Sequence, residues 1–289
     1  MVRASCWLHA AAALGLAAHP PSWPWALGAV LANHAALGVV GLLPRNGLLG
    51  PNLVRLPGEA RRRGEVALTF DDGPDADVTP RVLDILAGHG ATASFFLIGR
   101  RAARHAPLAR ELVRRGHSAE NHTHRHPYAF AALPPPAMRR EIAAAQDAIA
   151  AAAGAEPRFF RPPAGLRSPP LDPALAAAGL LHATWTRRGF DSVSRDPEAV
   201  SRRLVGRGLA AGDILLLHDG NAARTRGGDP VVLEVLPALL RRIAEAGLRA
   251  VSLPRATAAP GRPAAACGGG AVGGAAAAPS PAPAARASR

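Results

Sequence analysis

The sequence contains no lysine, so that all 34 of its basic residues are arginine. The formal net charge of +13 and the isoelectric point of about 11.6 would by themselves indicate a nucleic acid or an anionic membrane as partner. The arginines are, however, spread along the chain except at residues 61–63, and alanine, glycine and proline are also abundant, which indicates a compositional bias. Aromatic residues make up only 4% of the chain, which leaves few rings for base stacking. We therefore predict no nucleic-acid partner.

Cysteine is also scarce. Cys6 lies in an apolar stretch and Cys267 in a glycine- and alanine-rich one, and neither belongs to a CxxC pair. This excludes a disulfide framework and a cysteine metal site.

Residues 1–50 differ in composition from the rest. Two apolar runs, Cys6–Ala18 and Trp25–Leu43, are separated by HPPSWPW. The second run has 19 residues, enough to span a bilayer core of about 30 Å as a helix. We predict a membrane anchor, either a single span or a short helical hairpin. A cleaved signal peptide and a buried helix of a globular domain remain alternatives.

The side of the membrane stays open. Arg61–Arg63 favour a cytoplasmic flank under the positive-inside rule, whereas a single span with its N-terminus inside would put the following domain outside. We therefore predict a protein anchored at the bacterial cell envelope, or an exported one.

At the other end, residues 257–289 consist largely of alanine, glycine, proline and serine and cannot form a core, so we predict a disordered tail. Between the two ends, residues 60–256 are expected to form one domain.

Within this domain, short apolar runs alternate with helix-like stretches. The predicted strands are Glu65–Phe70, Ala91–Ile98, His117–Glu120, Arg158–Arg161, Leu181–Trp185, Asp213–Leu217 and Arg249–Leu253, and the clearest helices are Pro80–Ala87 (with Thr79 as N-cap), Ala137–Ala153 and Val231–Ala246. Repeated strand–helix units indicate an α/β fold with a parallel sheet. The pattern alone does not distinguish a barrel from an open sheet.

Polar residues follow most of the predicted strands. They occur in TFDDGPD, NHTHRHP, FRPPAG, the segment from Trp185 to Asp191, and ILLLHDG. Each motif alone is also typical of a turn or a helix cap. Because the carboxyl ends of parallel strands meet at one rim, where catalytic groups of such folds lie, the combination predicts an active site.

The three histidines of NHTHRHP suggest a metal site. His122 and His126 have i,i+4 spacing and would share a face of a short helical turn, with Asn121 as its cap, whereas His124 would point elsewhere. Together with one aspartate of the Asp71–Asp72 pair they would form a ligand set for a divalent ion that leaves a position free for water.

The ordered motifs TFDDGP, HTxxH, RPPxG, Trp-to-Asp and LLHD resemble those of the polysaccharide deacetylases (the NodB-homology domain, carbohydrate esterase family 4) over residues 65–253. The resemblance implies a distorted (β/α)7 barrel. It also implies one divalent ion, usually zinc, with cobalt, nickel or manganese as alternatives.

By this resemblance, Asp71 is the catalytic base, Asp72, His122 and His126 are the metal ligands, Arg161 orients the base, and His218 is the general acid. Asp191 is the candidate that tunes His218. The predicted substrate contacts are Leu217, Ala164 and Trp185. Two departures from the family pattern concern the substrate: Ala164 stands where an aromatic residue is common, and Ser192 where tryptophan is common.

The implied reaction is hydrolysis of acetyl groups on N-acetylated or O-acetylated sugars of an envelope or extracellular polysaccharide, with the acetylated glycan as partner. Two alternatives remain: an amidohydrolase acting on a small-molecule or lipid-linked amide, and a membrane-tethered glycan-binding pseudoenzyme. Arg187 and Arg188, expected in a loop at the rim, suggest an anionic substrate. The sequence does not indicate an oligomeric state.

Overall fold

A computed structural model describes residues 1–258. The predicted tail lies outside the described residues apart from its first two, of which Thr257 still belongs to a helix.

The N-terminal region consists of two helices, α1 (Val2–Ala18) and α2 (Trp23–Gly41), joined by a 3₁₀ turn at Pro20–Ser22. The segment Pro20–Gly41 is long and apolar enough to cross a membrane, and little of it is buried. The two helices pack against each other, and Asn33 Nδ2 donates a hydrogen bond of 2.7 Å to Ser5 Oγ. Their outward faces expose large apolar side chains, among them Trp7 and Trp25.

The domain that follows alternates strands and helices along the chain. Its strands are β1 (Glu65–Asp71), β2 (Ser94–Leu97), β3 (Ser118–Asn121), β4 (Phe159–Phe160), β5 (Leu181–His182), β6 (Arg187–Arg188), β7 (Ile214–His218) and β8 (Arg249–Val251). Its helices are α3 (Gly58–Arg62), α4 (Val78–Gly88), α5 (Gly99–Arg104), α6 (Ala106–Arg114), α7 (Pro135–Ala153), α8 (Leu171–Ala177), α9 (Pro197–Val205), α10 (Val231–Glu245) and α11 (Leu253–Thr257), with 3₁₀ turns at Phe130–Ala132 and Pro163–Gly165.

All strand pairs in the sheet are parallel, in the order β5-β4-β3-β2-β1-β7-β6, and β8 pairs with the first part of β1. The central strand β1 is buried along its whole length because it has neighbours on both edges and packing on both faces. This confirms the predicted α/β fold with a parallel, curled sheet.

Alternation along the strands divides the core into two layers. Val66, Leu68 and Phe70 face an outer layer formed with α4, α9 and α10, whereas Ala67 faces an inner layer enclosed by the curled sheet. On β7, Leu215 and Leu217 belong to the outer layer and Ile214 and Leu216 to the inner one.

Two local predictions were wrong. The first helix after β1 begins at Val78, so Thr79 lies inside its first turn and does not cap it, and its hydroxyl group bonds Asp219 instead. Residues Arg187–Arg188, predicted as a loop, form the additional strand β6 paired with β7. Two adjacent arginines lack the alternation of polar and apolar residues that would indicate a strand. Their pairing with the buried β7 holds them extended.

Candidate active site

The predicted site residues lie at the carboxyl ends of the parallel strands. Asp71 ends β1 and His218 ends β7 directly beside it, because these two residues are register partners. His122 follows β3, and Arg161 follows β4. Strand topology thus brings residues that are distant in sequence to one rim of the sheet.

Asp72, His122 and His126 form a group of side chains that could hold a metal ion. Each offers one ligand atom, and the three atoms lie within 4.8 Å of one another. Asp72 Oδ1 is 3.3 Å from Nε2 of His122 and 3.1 Å from Nε2 of His126. His122 Nδ1 donates a 2.7 Å hydrogen bond to the carbonyl of Arg161, which leaves its Nε2 to face Asp72.

The two imidazoles converge without the expected helical turn. Thr123 and His126 have positive φ angles, 66° and 58°, so the backbone from Asn121 to Pro127 is an irregular loop and the predicted helix was wrong. Pro127 disfavours helical geometry at the preceding residue. Side-chain bonds fix the loop instead: Asn121 Oδ1 accepts from the N–H of Thr123, and Thr123 Oγ1 accepts from the N–H of His126.

The chemistry of this group fits a cation. Asp72 Oδ1 is buried and has no hydrogen-bond partner of acceptable geometry within residues 1–258, although two imidazole nitrogens lie near it. Burial works against the charged carboxylate, but the adjacent imidazoles of His122 and His126 and the charge of His218 hold the pKa of Asp72 well below its usual range. A buried carboxylate that stays charged beside two imidazole nitrogens offers the oxygen and nitrogen ligands that a divalent ion takes.

Asp71 is paired with a fully buried arginine. Arg161 Nη1 donates a hydrogen bond of 2.6 Å to Asp71 Oδ1, and the guanidinium also bonds the carbonyls of Ala183 and Thr184. Its carbon atom stands 4.0 Å from the centre of the Phe96 ring. Asp71 Oδ2 is directed to the other side, 4.0 Å from His122 Nε2, so one carboxylate oxygen remains available beside the metal group.

His218 is paired with Asp191, and both side chains are buried. Its Nδ1 lies 2.9 Å from Asp191 Oδ1, and its backbone N–H donates a 2.7 Å bond to Oδ2. Burial opposes the charged imidazole, but the charge and hydrogen bond of Asp191 outweigh it and raise the pKa of His218 to about 9. The imidazole is thus a protonated acid at neutral pH.

Sequence reasoning missed the groups that hold the loop after β1. Asn221 Nδ2 donates a 3.1 Å hydrogen bond to Asp72 Oδ2, and Arg101 donates to both the Asp72 carbonyl and Asn221 Oδ1. Asp219, buried below this loop, accepts a 2.6 Å bond from Thr79, and burial raises its pKa to about 7. Only the polar run HDGN after β7 offered a signal in the sequence.

The predicted substrate contacts differ in their exposure to solvent. Leu217 is fully buried in the outer core layer, on the opposite face of β7 from Leu216, and its contact with substrate stays a prediction. Trp185 is 5% exposed and belongs to the inner core. Ala164 is exposed, with a φ of 56° in the turn that follows Arg161. Tyr128, 92% exposed and in edge contact with His126, was not predicted.

Comparisons with known proteins identify the family of the chain. The family profile described as "Polysaccharide deacetylase" matches residues 58–183. The chain is 38% identical to a chitooligosaccharide deacetylase of Bradyrhizobium sp. (strain ANU 289), over 56% of this chain and 74% of that protein. It is 31% identical to a peptidoglycan-N-acetylglucosamine deacetylase of Bacillus cereus, over 65% of this chain and 85% of that protein.

Among solved structures, the chain is similar to a family 4 carbohydrate esterase from Streptomyces lividans in complex with acetate. The TM-score is 0.58 at 32% identity, and the match covers 65% of this chain and 91% of that one. The fold, the family profile and the relatives all indicate the same family. The chain therefore belongs to the polysaccharide deacetylase family.

Proposed function

We propose that this protein is a metal-dependent hydrolase that removes acetyl groups from N-acetylated or O-acetylated sugars of a polysaccharide. One observation carries the proposal: a cation-binding group of Asp72, His122 and His126 lies beside a carboxylate fixed by an arginine and an imidazole fixed by a carboxylate. This is the donor set of a hydrolase with one base and one acid.

Asp72, His122 and His126 would hold the divalent ion, which we propose to be zinc because imidazole nitrogen and carboxylate oxygen are its usual ligands. When bound, the ion supplies Lewis acidity that polarises a carbonyl group and acidifies water. Asn221, which donates to Asp72 Oδ2, would orient the carboxylate ligand.

Asp71 is proposed as the general base. Its Oδ1 is occupied by Arg161, so Oδ2 is the oxygen that takes a proton from the water that attacks the acetyl carbonyl. The guanidinium of Arg161 has no acceptor atom and cannot itself take the proton. Through its hydrogen bond to Oδ1, Arg161 positions the base.

His218 is proposed as the general acid. Asp191 holds its Nδ1, so Nε2 is the nitrogen that delivers a proton to the leaving amine or alcohol. A pKa of about 9 keeps this proton in place at neutral pH. The acid and the base have different partners, because Asp191 contacts the imidazole of His218 and Arg161 contacts the carboxylate of Asp71.

The relatives that act on chitooligosaccharide and peptidoglycan support an acetylated amino-sugar polymer as the substrate class. Tyr128 exposes a ring next to His126 on which a sugar face could stack.

We propose further that residues 1–50 anchor the protein to a membrane and that residues 60–256 form the catalytic domain. Support for the anchor comes from the two packed apolar helices α1 and α2, whose outward faces would be in contact with lipid. The cell envelope is the corresponding location. Among the alternatives, a binding pseudoenzyme would not need the pairing of His218 with Asp191.

Acetate release from N-acetylglucosamine oligomers and peptidoglycan fragments tests the function. We expect release by the purified protein, loss on chelation and return with zinc. Asp71→Asn should lower kcat by about 10² to 10⁴-fold. Asp77→Asn, the same change at an exposed residue six positions later, is the control. A protein that binds these glycans and one metal ion but never releases acetate would be a pseudoenzyme, and release only from small amides would favour the amidohydrolase.

A further inference from the structure

A second feature of the molecule is a cavity of about 860 Å³ between the segment that follows α2, strand β6 and helix α9. Seven of its 14 lining residues are arginines, compared with 34 basic residues among 289 in the chain, so the concentration exceeds the compositional bias. Its only acidic residue is the buried Asp213. We refer to this cavity as the arginine groove.

Some of these arginines have structural partners. Arg55 and Arg187 each approach a carboxylate oxygen of Asp213 at 2.9 Å. Arg202 lies near Asp196 and Glu198. The other four, Arg45, Arg188, Arg203 and Arg207, have no carboxylate partner within residues 1–258.

Arg188 and Arg203 are held in place by an aromatic ring. The guanidinium carbons stand 4.7 Å and 5.8 Å from the centre of the Phe190 ring, and Arg188 also lies 5.4 Å from that of Trp185. Stacking fixes the plane of a guanidinium but leaves its N–H edge available. Nε of Arg188 is buried and donates to no acceptor in the described part of the chain. A buried donor of this kind is available to an acceptor on a ligand.

The groove adjoins the active site. Phe190 directly precedes Asp191, the partner of His218, and Trp185 stands 5.6 Å from the guanidinium of Arg161. At the other end, Arg45 follows helix α2 and donates to the carbonyl of Thr186. A ligand could therefore extend from the acid–base pair toward the apolar N-terminal helices.

We propose that the arginine groove binds the phosphate or pyrophosphate group of a phosphorylated glycan whose acetylated sugar occupies the active site. This inference rests on the proposed function and narrows its substrate class. Guanidinium groups bind phosphate through paired N–H donors, and four without acidic partners suit a multiply charged group. The volume is within the usual range for a ligand site.

The test compares acetate release from an N-acetylglucosamine oligomer with release from the same oligomer bearing a phosphate at its reducing end. We expect kcat/KM to be at least about tenfold higher for the phosphorylated oligomer, and the double variant Arg188→Gln/Arg203→Gln to remove most of that ratio. The double variant Arg139→Gln/Arg140→Gln, an equal loss of charge on the exposed face of α7, should keep it. An equal kcat/KM for the two oligomers, or a ratio unchanged in Arg188→Gln/Arg203→Gln, would overturn the inference.

A binding measurement separates this inference from the proposed function. Titration calorimetry with N-acetylglucosamine 1-phosphate should give at least about tenfold weaker binding to Arg188→Gln/Arg203→Gln than to the control Arg139→Gln/Arg140→Gln. That difference would support phosphate binding in the arginine groove even if no substrate released acetate. The absence of acetate release would count against the proposed function only. Equal binding to both variants counts against the groove.

A second comparison identifies the source of the phosphate. Faster turnover of a polyprenyl diphosphate-linked sugar in vesicles than of the soluble sugar phosphate indicates a lipid headgroup. Faster turnover of the soluble sugar phosphate indicates a soluble ligand.

Discussion

The imidazole of His218 depends on one carboxylate, because Asp191 contacts both its ring and its backbone N–H. Asp191 raises the pKa of His218 to about 9 against the opposing effect of burial. A general acid loses its proton as the pH rises through its pKa. The pKa of His218, which Asp191 raises, should therefore set the alkaline limit of activity.

Asp191→Asn should therefore move the alkaline limb of the kcat/KM–pH profile to lower pH by at least about one unit, since the charge that favours the imidazolium is removed. The profile is measured with the same bound metal for both proteins. Asp147→Asn, an exposed change on α7, is the matched control and should leave the limb in place. An unshifted alkaline limb in Asp191→Asn would assign the acid to another group.

The three histidines of NHTHRHP differ in what surrounds them. His122 and His126 direct a nitrogen at Asp72, whereas His124 packs against Gly99 and has no part in the metal group. His122→Ala or His126→Ala should reduce bound zinc from about one ion per chain to a small fraction, because two ligands hold the ion poorly. His124→Ala should retain it. Metal analysis after dialysis measures all three, and full zinc content in His126→Ala would exclude that residue as a ligand.

At the scale of elements, the sequence predicted where the strands end better than it predicted the backbone conformation of the loops that follow them. The ends of β1, β3, β4 and β7 could be predicted because apolar runs stop at polar motifs. The loop from Asn121 to Pro127 could not, since its positive φ angles are stabilised by hydrogen bonds that only the folded chain makes. Strand alternation places Leu216 on the same face of β7 as His218 and Leu217 on the opposite face.

The loop after β1 begins with Asp72, directly after Asp71, and packs tightly on the loop after β7. A Cβ atom built on Gly73 would lie 2.2 Å from Oδ2 of Asp219, and one on Gly220 would lie equally close to the carbonyl of Asp72. Only glycine permits these approaches. The two loops therefore fix each other, and with them Asp72.

Gly73→Ala should destabilise the protein by about 1–3 kcal/mol, since either the loop or the Asp219 carboxylate must move. It should also weaken zinc binding, because Asp72 adjoins the displaced residue. Gly88→Ala, at the end of α4 with open space around it, is the matched control and should be neutral or slightly stabilising. Denaturant unfolding and zinc titration measure both effects. Wild-type stability and zinc affinity in Gly73→Ala would show that the close approach does not constrain the site.

At the scale of the whole molecule, the fold of the catalytic domain was predictable from repeated strand–helix units, but its relation to the N-terminal helices was not. Residues after α2 pack onto the domain: the N–H of Arg167 donates to the carbonyl of Gly41, and Leu53 bridges to Ala183 beside β5. These are long-range contacts of an irregular segment, which hydrophobic periodicity does not record. They place the arginine groove between the apolar helices and the active site.

The N-terminal hairpin leads to a prediction of topology. Because α1 and α2 are joined by a tight turn at Pro20–Ser22, Arg3 and Arg45 lie toward the same end, whereas the turn HPPS carries no arginine. In a membrane-spanning hairpin this charge difference favours the cytoplasmic side for both ends.

Reporters fused at the N-terminus and at the C-terminus should therefore both report the cytoplasmic side, and both should remain in the membrane fraction after alkaline washing. A cytoplasmic N-terminal reporter together with an external C-terminal reporter would instead indicate a single span. Release of the N-terminal reporter from the mature chain would indicate a cleaved signal peptide. Replacing Pro21 and Ser22 by arginine adds positive charge at the turn and should lower the fraction of correctly inserted protein. Arg45 and the arginine groove would then face the cytoplasmic leaflet, where a membrane-bound phosphorylated glycan would approach the active site from the lipid side.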